Sequence, residues 1–103
     1  MELIEIFKTL GNEYRWQMLL WLKEPEKYFE PEHIKADDSE FAGGVCVGRL
    51  TEKAGLAQSV VSNYLNSLRD AGLVESLRVG KWTYYRYNPQ AATQFLQLLN
   101  QQL

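Results

Sequence analysis

"LTEKAGLAQSVVSNYLNSLRDAGLV", residues 50–74, reads as two helix-length segments joined through one glycine. A first short helix from about Gly48 ends at Ala54, and Gly55 supplies a left-handed turn. A longer helix then runs from Gln58 to Ala71 and is closed by Gly72. Helix, glycine turn, helix is the spacing of a helix-turn-helix. Val61, Leu65 and Leu68 recur at i, i+4 and i+7, which makes one buried stripe on the second helix. Ser59, Ser62, Asn63 and Asn66 then share the other side, with no carboxylate before Asp70. Amides and hydroxyls in such a row can bond to base edges and phosphates without repelling them.

Downstream, Leu73–Val79 and Trp82–Tyr87 are β-rich segments separated by Gly80-Lys81. A Gly-X pair between strands fits a two-residue type II′ hairpin, whose first central position needs a positive φ. Arg78, Lys81 and Arg86 place positive charge along this hairpin and at its tip. Asn88-Pro89 reads as a cap followed by proline at the first helical position. The last helix, Gln90 to about Gln102, carries Ala91, Ala92, Phe95, Leu96, Leu98 and Leu99, a stripe wider than one small core requires. Its polar positions are nearly all uncharged. Such a helix suits burial against a second subunit, with Leu3, Phe7, Phe95, Leu96 and Leu99 as the interface residues.

Upstream, Leu3, Ile4, Ile6, Phe7 and Leu10 recur at helical spacing until Gly11. Asn12 caps a second helix, with Arg15 exposed and Trp16, Leu19, Leu20 and Leu22 available for burial, and Pro25 ends it. Residues 25–44 hold two prolines, a glycine pair and many acidic side chains without a lasting period. They read as an insertion loop. Val45-Cys46-Val47 then forms a short strand leading into the helix-turn-helix. The expected class is mainly α with a small β-hairpin wing, in the order α-α-(β)-α-α-β-β-α, as a single domain over residues 1–103.

The 103 residues suffice for one modest core. The longest apolar run, Met18–Leu22, is far short of a membrane span, and the acidic start is unlike a signal peptide. One cysteine forms no intrachain disulfide, which agrees with a reducing compartment, so the cytoplasm is the expected location. The formal net charge is −2, but residues 1–44 carry more acid than base while residues 45–103 are net basic. A basic back half on an acidic protein is what a polyanion-binding face would give.

Three stretches in this order resemble the ArsR family of bacterial winged-helix repressors. Phe7-Lys8-Thr9-Leu10-Gly11-Asn12-Glu13-Tyr14-Arg15 is similar to the family's opening, residues 50–74 to its helix-turn-helix, and residues 79–88, VGKWTYYRYN, to its wing. The resemblance implies a homodimeric repressor that puts the helix from Gln58 into the major groove of a double-stranded operator. Gln58, Ser59, Ser62, Asn63, Asn66, Arg78 and Lys81 are the implied DNA contacts. The family's capping Ser is Ala57 here, its Thr is Val60 and its first His is Asn63, which implies altered contacts. The competing reading is a winged helix turned to protein–protein contact, which the acidic balance would suit.

Metal-sensing relatives often carry Cys-Val-Cys in the third helix, where this chain reads Cys46-Val47-Gly48. The second thiolate is missing, and the last helix has no His, Asp or Glu. No metal site and no cofactor are expected, although Cys46, His33 and carboxylates of two subunits form an alternative set. Cys46 itself reads as a small buried hydrophobe beside Val45 and Val47, or as a thiol sensor of oxidants or electrophiles. An enzyme is not expected: one His and one Cys far apart make no catalytic set. The aromatics Tyr14, Trp16, Trp21, Tyr28, Phe29 and Phe41 gather near the insertion, the place to look for an otherwise unidentified effector.

Overall fold

The computed structural model describes residues 2–103. In order they form α1 (Leu3–Leu10), α2 (Glu13–Lys23), a one-turn α3 (Pro25–Tyr28), a 3-10 turn (Pro31–His33), β1 (Val45–Cys46), α4 (Val47–Ala54), α5 (Gln58–Asp70), β2 (Val74–Val79), β3 (Trp82–Tyr87) and α6 (Ala91–Gln102). Local chemistry explains most of these boundaries. The Asn12 side chain accepts the Arg15 amide at 3.0 Å and caps α2. Gly55 closes α4 in the left-handed region. Gly80 alone has positive φ in the β2–β3 turn, +61°, as a type II′ turn requires, and Val79 pairs with Trp82 across it.

β3 is the middle strand of an antiparallel sheet, with β2 on one side and β1 on the other. Val45 pairs with Tyr85 and Cys46 with Tyr84, so the segment ahead of the helix-turn-helix is stitched directly to the hairpin. The core lies between α1, α2, α4, α5 and this sheet, around Ile6, Met18, Val45, Leu50, Val61, Leu65 and Leu68, all fully buried. Each such side chain contributes roughly 1.5–3 kcal/mol of burial. The α5 stripe expected from the sequence is therefore the centre of the molecule.

Several local expectations are corrected. Val47 starts α4 rather than continuing the strand, and α6 begins at Ala91. Asn88 does not cap the helix conventionally: its Oδ1 accepts the Gln90 amide, while its Nδ2 donates to the Gly72 carbonyl and ties the hairpin's exit to the end of α5. Trp16 is exposed and Leu20 only half-buried, whereas Met18 fills the core. Arg15 is half-buried, not exposed. Its Nε donates to the Thr9 carbonyl at 2.6 Å, a second guanidinium nitrogen reaches the Lys8 carbonyl, and the group lies over the Tyr64 ring. One side chain thus satisfies the last carbonyls of α1 and packs it against α5.

Residues 25–44 are not a structureless loop. Besides α3 and the 3-10 turn, Ile34 bridges to Val45, and Lys35 exchanges backbone hydrogen bonds with Gly43 and Gly44. Phe41 is buried beneath the Arg86 guanidinium, 4.2 Å from its ring centre. Gly44 passes so close that a Cβ there would lie 2.5 Å from Cδ2 of Phe41. The Lys53 ammonium sits 5.4–5.8 Å from the rings of Trp21, Tyr28 and Phe29, which fastens the segment to α4. Trp21, Tyr28, Phe29 and Phe41 are thereby used for packing, whereas Tyr14 and Trp16 stay exposed.

Candidate DNA interface

α5 is held by its buried stripe, which turns Gln58, Ser59, Val60 and Asn63 to solvent and leaves Ser62 and Asn66 half-buried. Its first turn carries no acidic residue, and Ala57 supplies no side-chain cap. The Gln58 and Ser59 N–H groups at the start of α5 face no intrahelical acceptor and can meet an anion such as a phosphate, whereas the Val60 N–H already bonds to the Ala57 carbonyl. The Ser67 hydroxyl is turned inward along the helix, donating to the Asn63 carbonyl. Apart from Val60, the exposed positions from Gln58 to Asn63 are polar and uncharged, which lets them approach a polyanion closely.

Asn66 has a second commitment. Its Oδ1 accepts the Tyr85 hydroxyl at 2.8 Å, so this amide joins α5 to the middle strand of the sheet. Tyr85 itself is buried, and burial pushes its phenol above the ordinary range, with Arg69 pulling partly back. Val60, by contrast, is an exposed apolar residue on the same helix that pattern reading did not enter among the contacts. Its branched methyls suit a thymine methyl in the major groove. The signal was present in its position on the polar side of α5, outside the buried stripe.

At the hairpin tip, Arg78 donates from Nε to the Gly80 carbonyl at 3.0 Å, and the Lys81 ammonium lies 5.4 Å from the Trp82 ring. Both cations are thus held at the turn without a carboxylate partner among the described residues. Arg86 differs. It pairs with Glu75 at 2.9 Å and covers Phe41, so it belongs to the scaffold at the base of the hairpin.

The other predicted residues lie elsewhere. Phe7 and Phe95 meet edge to face at 5.9 Å, which brings α1 and α6 together. Ile4 (55%), Phe7 (48%) and Leu96 (55%) stay open to solvent beside them, Leu99 is half-buried, and Leu3 is buried within its own chain. Of the apolar positions on α6, only Ala91 is buried. Cys46 is half-buried and shares the wall of a cavity of about 500 Å³ with His33, Glu32 and Glu52. No group of three His, Cys, Asp or Glu side chains able to hold a metal ion occurs among the described residues. No described helix is long and apolar enough to cross a membrane.

A family model described as bacterial regulatory protein, arsR family, matches residues 42–76, the stretch from the entry to α4 through the start of β2. The chain is 47% identical over 91 residues to the HTH-type transcriptional regulator YbzH of Bacillus subtilis, covering 88% of each chain. It is 32% identical over 93 residues to the putative arsenical resistance operon repressor ArsR2 of Halobacterium salinarum, covering 90% of this chain but 63% of that one. Among solved structures, an ArsR-like transcriptional regulator from Rhodococcus sp. RHA1 superposes with a TM-score of 0.68 at 22% identity, over 96% of this chain and 76% of that one. The homodimeric winged helix-turn-helix DNA-binding domain of Mb0332 from Mycobacterium bovis does so with a TM-score of 0.64 at 24% identity, over 94% and 73%. The fold is the winged helix-turn-helix, with β2 and β3 as the wing.

Proposed function

The chain belongs to the arsR family of bacterial regulatory proteins, DNA-binding winged-helix transcriptional regulators, and from that premise we propose that it is a dimeric cytoplasmic repressor released by an effector or by thiol modification. The observation that carries this reading is the pairing of uncharged hydrogen-bonding residues on α5 with two wing-tip cations that have no carboxylate partner among the described residues. α5 enters the major groove, where Gln58, Ser59, Ser62 and Asn63 read base edges or phosphates and Val60 adds an apolar contact. Asn66 takes part from the wing side of the helix while it holds Tyr85. Arg78 and Lys81 follow the backbone or the adjacent minor groove.

Dimerisation supplies the spacing. Two recognition helices reach successive major grooves when they lie about 34–36 Å apart, which needs a fixed two-fold partner. The apolar surface of Ile4, Phe7, Phe95, Leu96 and Leu99 supports a partner against α1 and α6, and the Mb0332 domain of the same fold is homodimeric. Release by thiol modification would act at Cys46, whose strand pairing with Tyr84 makes it part of the wing's foundation. Selection of bound fragments from genomic DNA tests the reading. One enriched motif with two half-sites, bound more weakly as salt rises, is expected. No enriched site, together with a stable protein partner in pull-downs, would give the chain to protein–protein contact instead.

A further inference from the structure

The cavity of about 500 Å³ beside Cys46 lies between three pieces of the chain: the segment ahead of β1, the junction of β1 with α4, and the wing strand β3. Ile34 and Lys35 form one wall, Cys46, Gly48 and Arg49 a second, and Trp82 and Tyr84 a third. Its volume is in the range small organic ligands occupy. Trp82 and Tyr84 are two residues apart on β3 and present their rings on one face. Trp82 is 51% exposed, a large ring left half uncovered.

The charges around this space are not equivalent. Glu52 is engaged by Arg49, which reaches both carboxylate oxygens at 3.3 Å, and Glu32 is an exposed residue of the lining. Lys35 is half-buried, and its ammonium lies 4.5 Å from the Tyr84 ring centre. No carboxylate pairs with it among the described residues. Its backbone is fixed on both sides by hydrogen bonds with Gly43 and Gly44. A half-buried cation with a ring as its partner, next to the half-exposed Trp82 ring that the Lys81 ammonium also approaches, is complementary to a flat molecule carrying one negative charge.

We propose that this cavity binds a small aromatic carboxylate, with the ring against Trp82 and the carboxylate on Lys35, and that its filling weakens operator binding. The proposal rests on the repressor reading and supplies the chemistry of the effector. The coupling runs through adjacent residues of β3. Tyr84 lines the cavity and pairs with Cys46, while the next residue, Tyr85, donates its hydroxyl to Asn66 on the recognition helix. A ligand that shifts Tyr84 shifts the strand that holds α5 in register. It moves the equilibrium by the difference between its affinities for the two arrangements.

Salicylate is a suitable probe, with benzyl alcohol as the uncharged comparison. Titrated into the nitrogen-15-labelled full chain, salicylate should give saturable NMR shifts at Lys35, Gly48, Tyr84 and the Trp82 indole. Lys35→Ala should weaken this binding about tenfold, Lys35→Arg should restore most of it, and benzyl alcohol should bind about tenfold more weakly. Saturating salicylate should raise the operator concentration for half-binding about tenfold, within the usual range of coupling. Tyr85→Phe should keep the cavity shifts and lose much of the operator response. Absent or unsaturable shifts, or binding indifferent to Lys35 and to the carboxylate, would overturn the site. Saturation with operator affinity unmoved would overturn the coupling. If no operator is found, the repressor reading fails while the NMR titration still decides the cavity.

Discussion

Tyr85→Phe removes one oxygen and leaves the shape of the core nearly unchanged. The lost group is the hydroxyl that donates to Asn66 Oδ1 at 2.8 Å from a tyrosine with 3% of its surface exposed. A neutral intramolecular hydrogen bond contributes about 0.5–1.5 kcal/mol net. Asn66 is half-buried, so water can reach its freed oxygen and the larger penalty of an orphaned acceptor is avoided. The expected loss is therefore about 1 kcal/mol, equivalent to roughly 4–8 °C in Tm for a domain of this size. Urea and thermal unfolding at matched protein concentration would measure it, since a dimer's stability depends on concentration. The pH dependence gives a second handle. Burial raises the Tyr85 phenol above its ordinary value, so the folded state favours the protonated form more than the unfolded state does. That contribution is complete below the unfolded phenol value of about 10 and is lost as pH rises through the raised folded value. Wild type should lose stability over this alkaline window more steeply than Tyr85→Phe. Equal stabilities at neutral pH would refute the assigned hydrogen bond, and identical alkaline slopes would refute the upward shift of the buried phenol.

Three further outcomes test the other parts of the molecule. Lys81→Ala should weaken all DNA sequences similarly and reduce the salt slope by about 1, whereas Asn63→Ala should alter sequence preference by about 1–3 kcal/mol at its own base pair, both read from titrations against operator and scrambled DNA. Phe95→Asp or Leu99→Asp should shift sedimentation toward monomer and lower operator affinity in parallel; a wild type that sediments as a tight monomer at micromolar concentration would remove the basis for a two-fold reader. Cys46→Ser should keep operator binding but lose any response to peroxide or electrophiles, and elemental analysis should find no stoichiometric zinc. A mutant that still responds like the parent assigns Cys46 to packing alone.

Chain order and local chemistry were enough to read the helix-turn-helix and the hairpin. The α5 stripe repeats with the helical period, the Gly80-Lys81 turn depends on one positive φ, and the Asn12 cap acts within three residues. Such features are set by neighbours a turn or a strand pair away, so the amino-acid order alone carries them. The face of α5 opposite the stripe follows from the same periodicity, which is why the solvent-facing placement of Gln58, Ser59 and Asn63 could be read in advance.

What only the tertiary structure decided involves residues far apart in the chain, for which no period exists. Arg15 looked like a surface charge until the end of α1 and the ring of Tyr64 closed around it. Residues 25–44 lacked a pattern because their order comes from Lys53 among three rings, Arg86 over Phe41 and the bridge from Ile34 to Val45. Asn66 was legible as polar, but its bond to Tyr85 joins residues 19 apart and makes it a link between recognition helix and wing. Phe7 and Leu96 could be identified as apolar from composition, yet their exposure depends on how little of α6 the single chain covers. Secondary structure is chosen by short-range sterics and hydrogen bonding; charge placement and exposure are chosen by which distant surfaces meet.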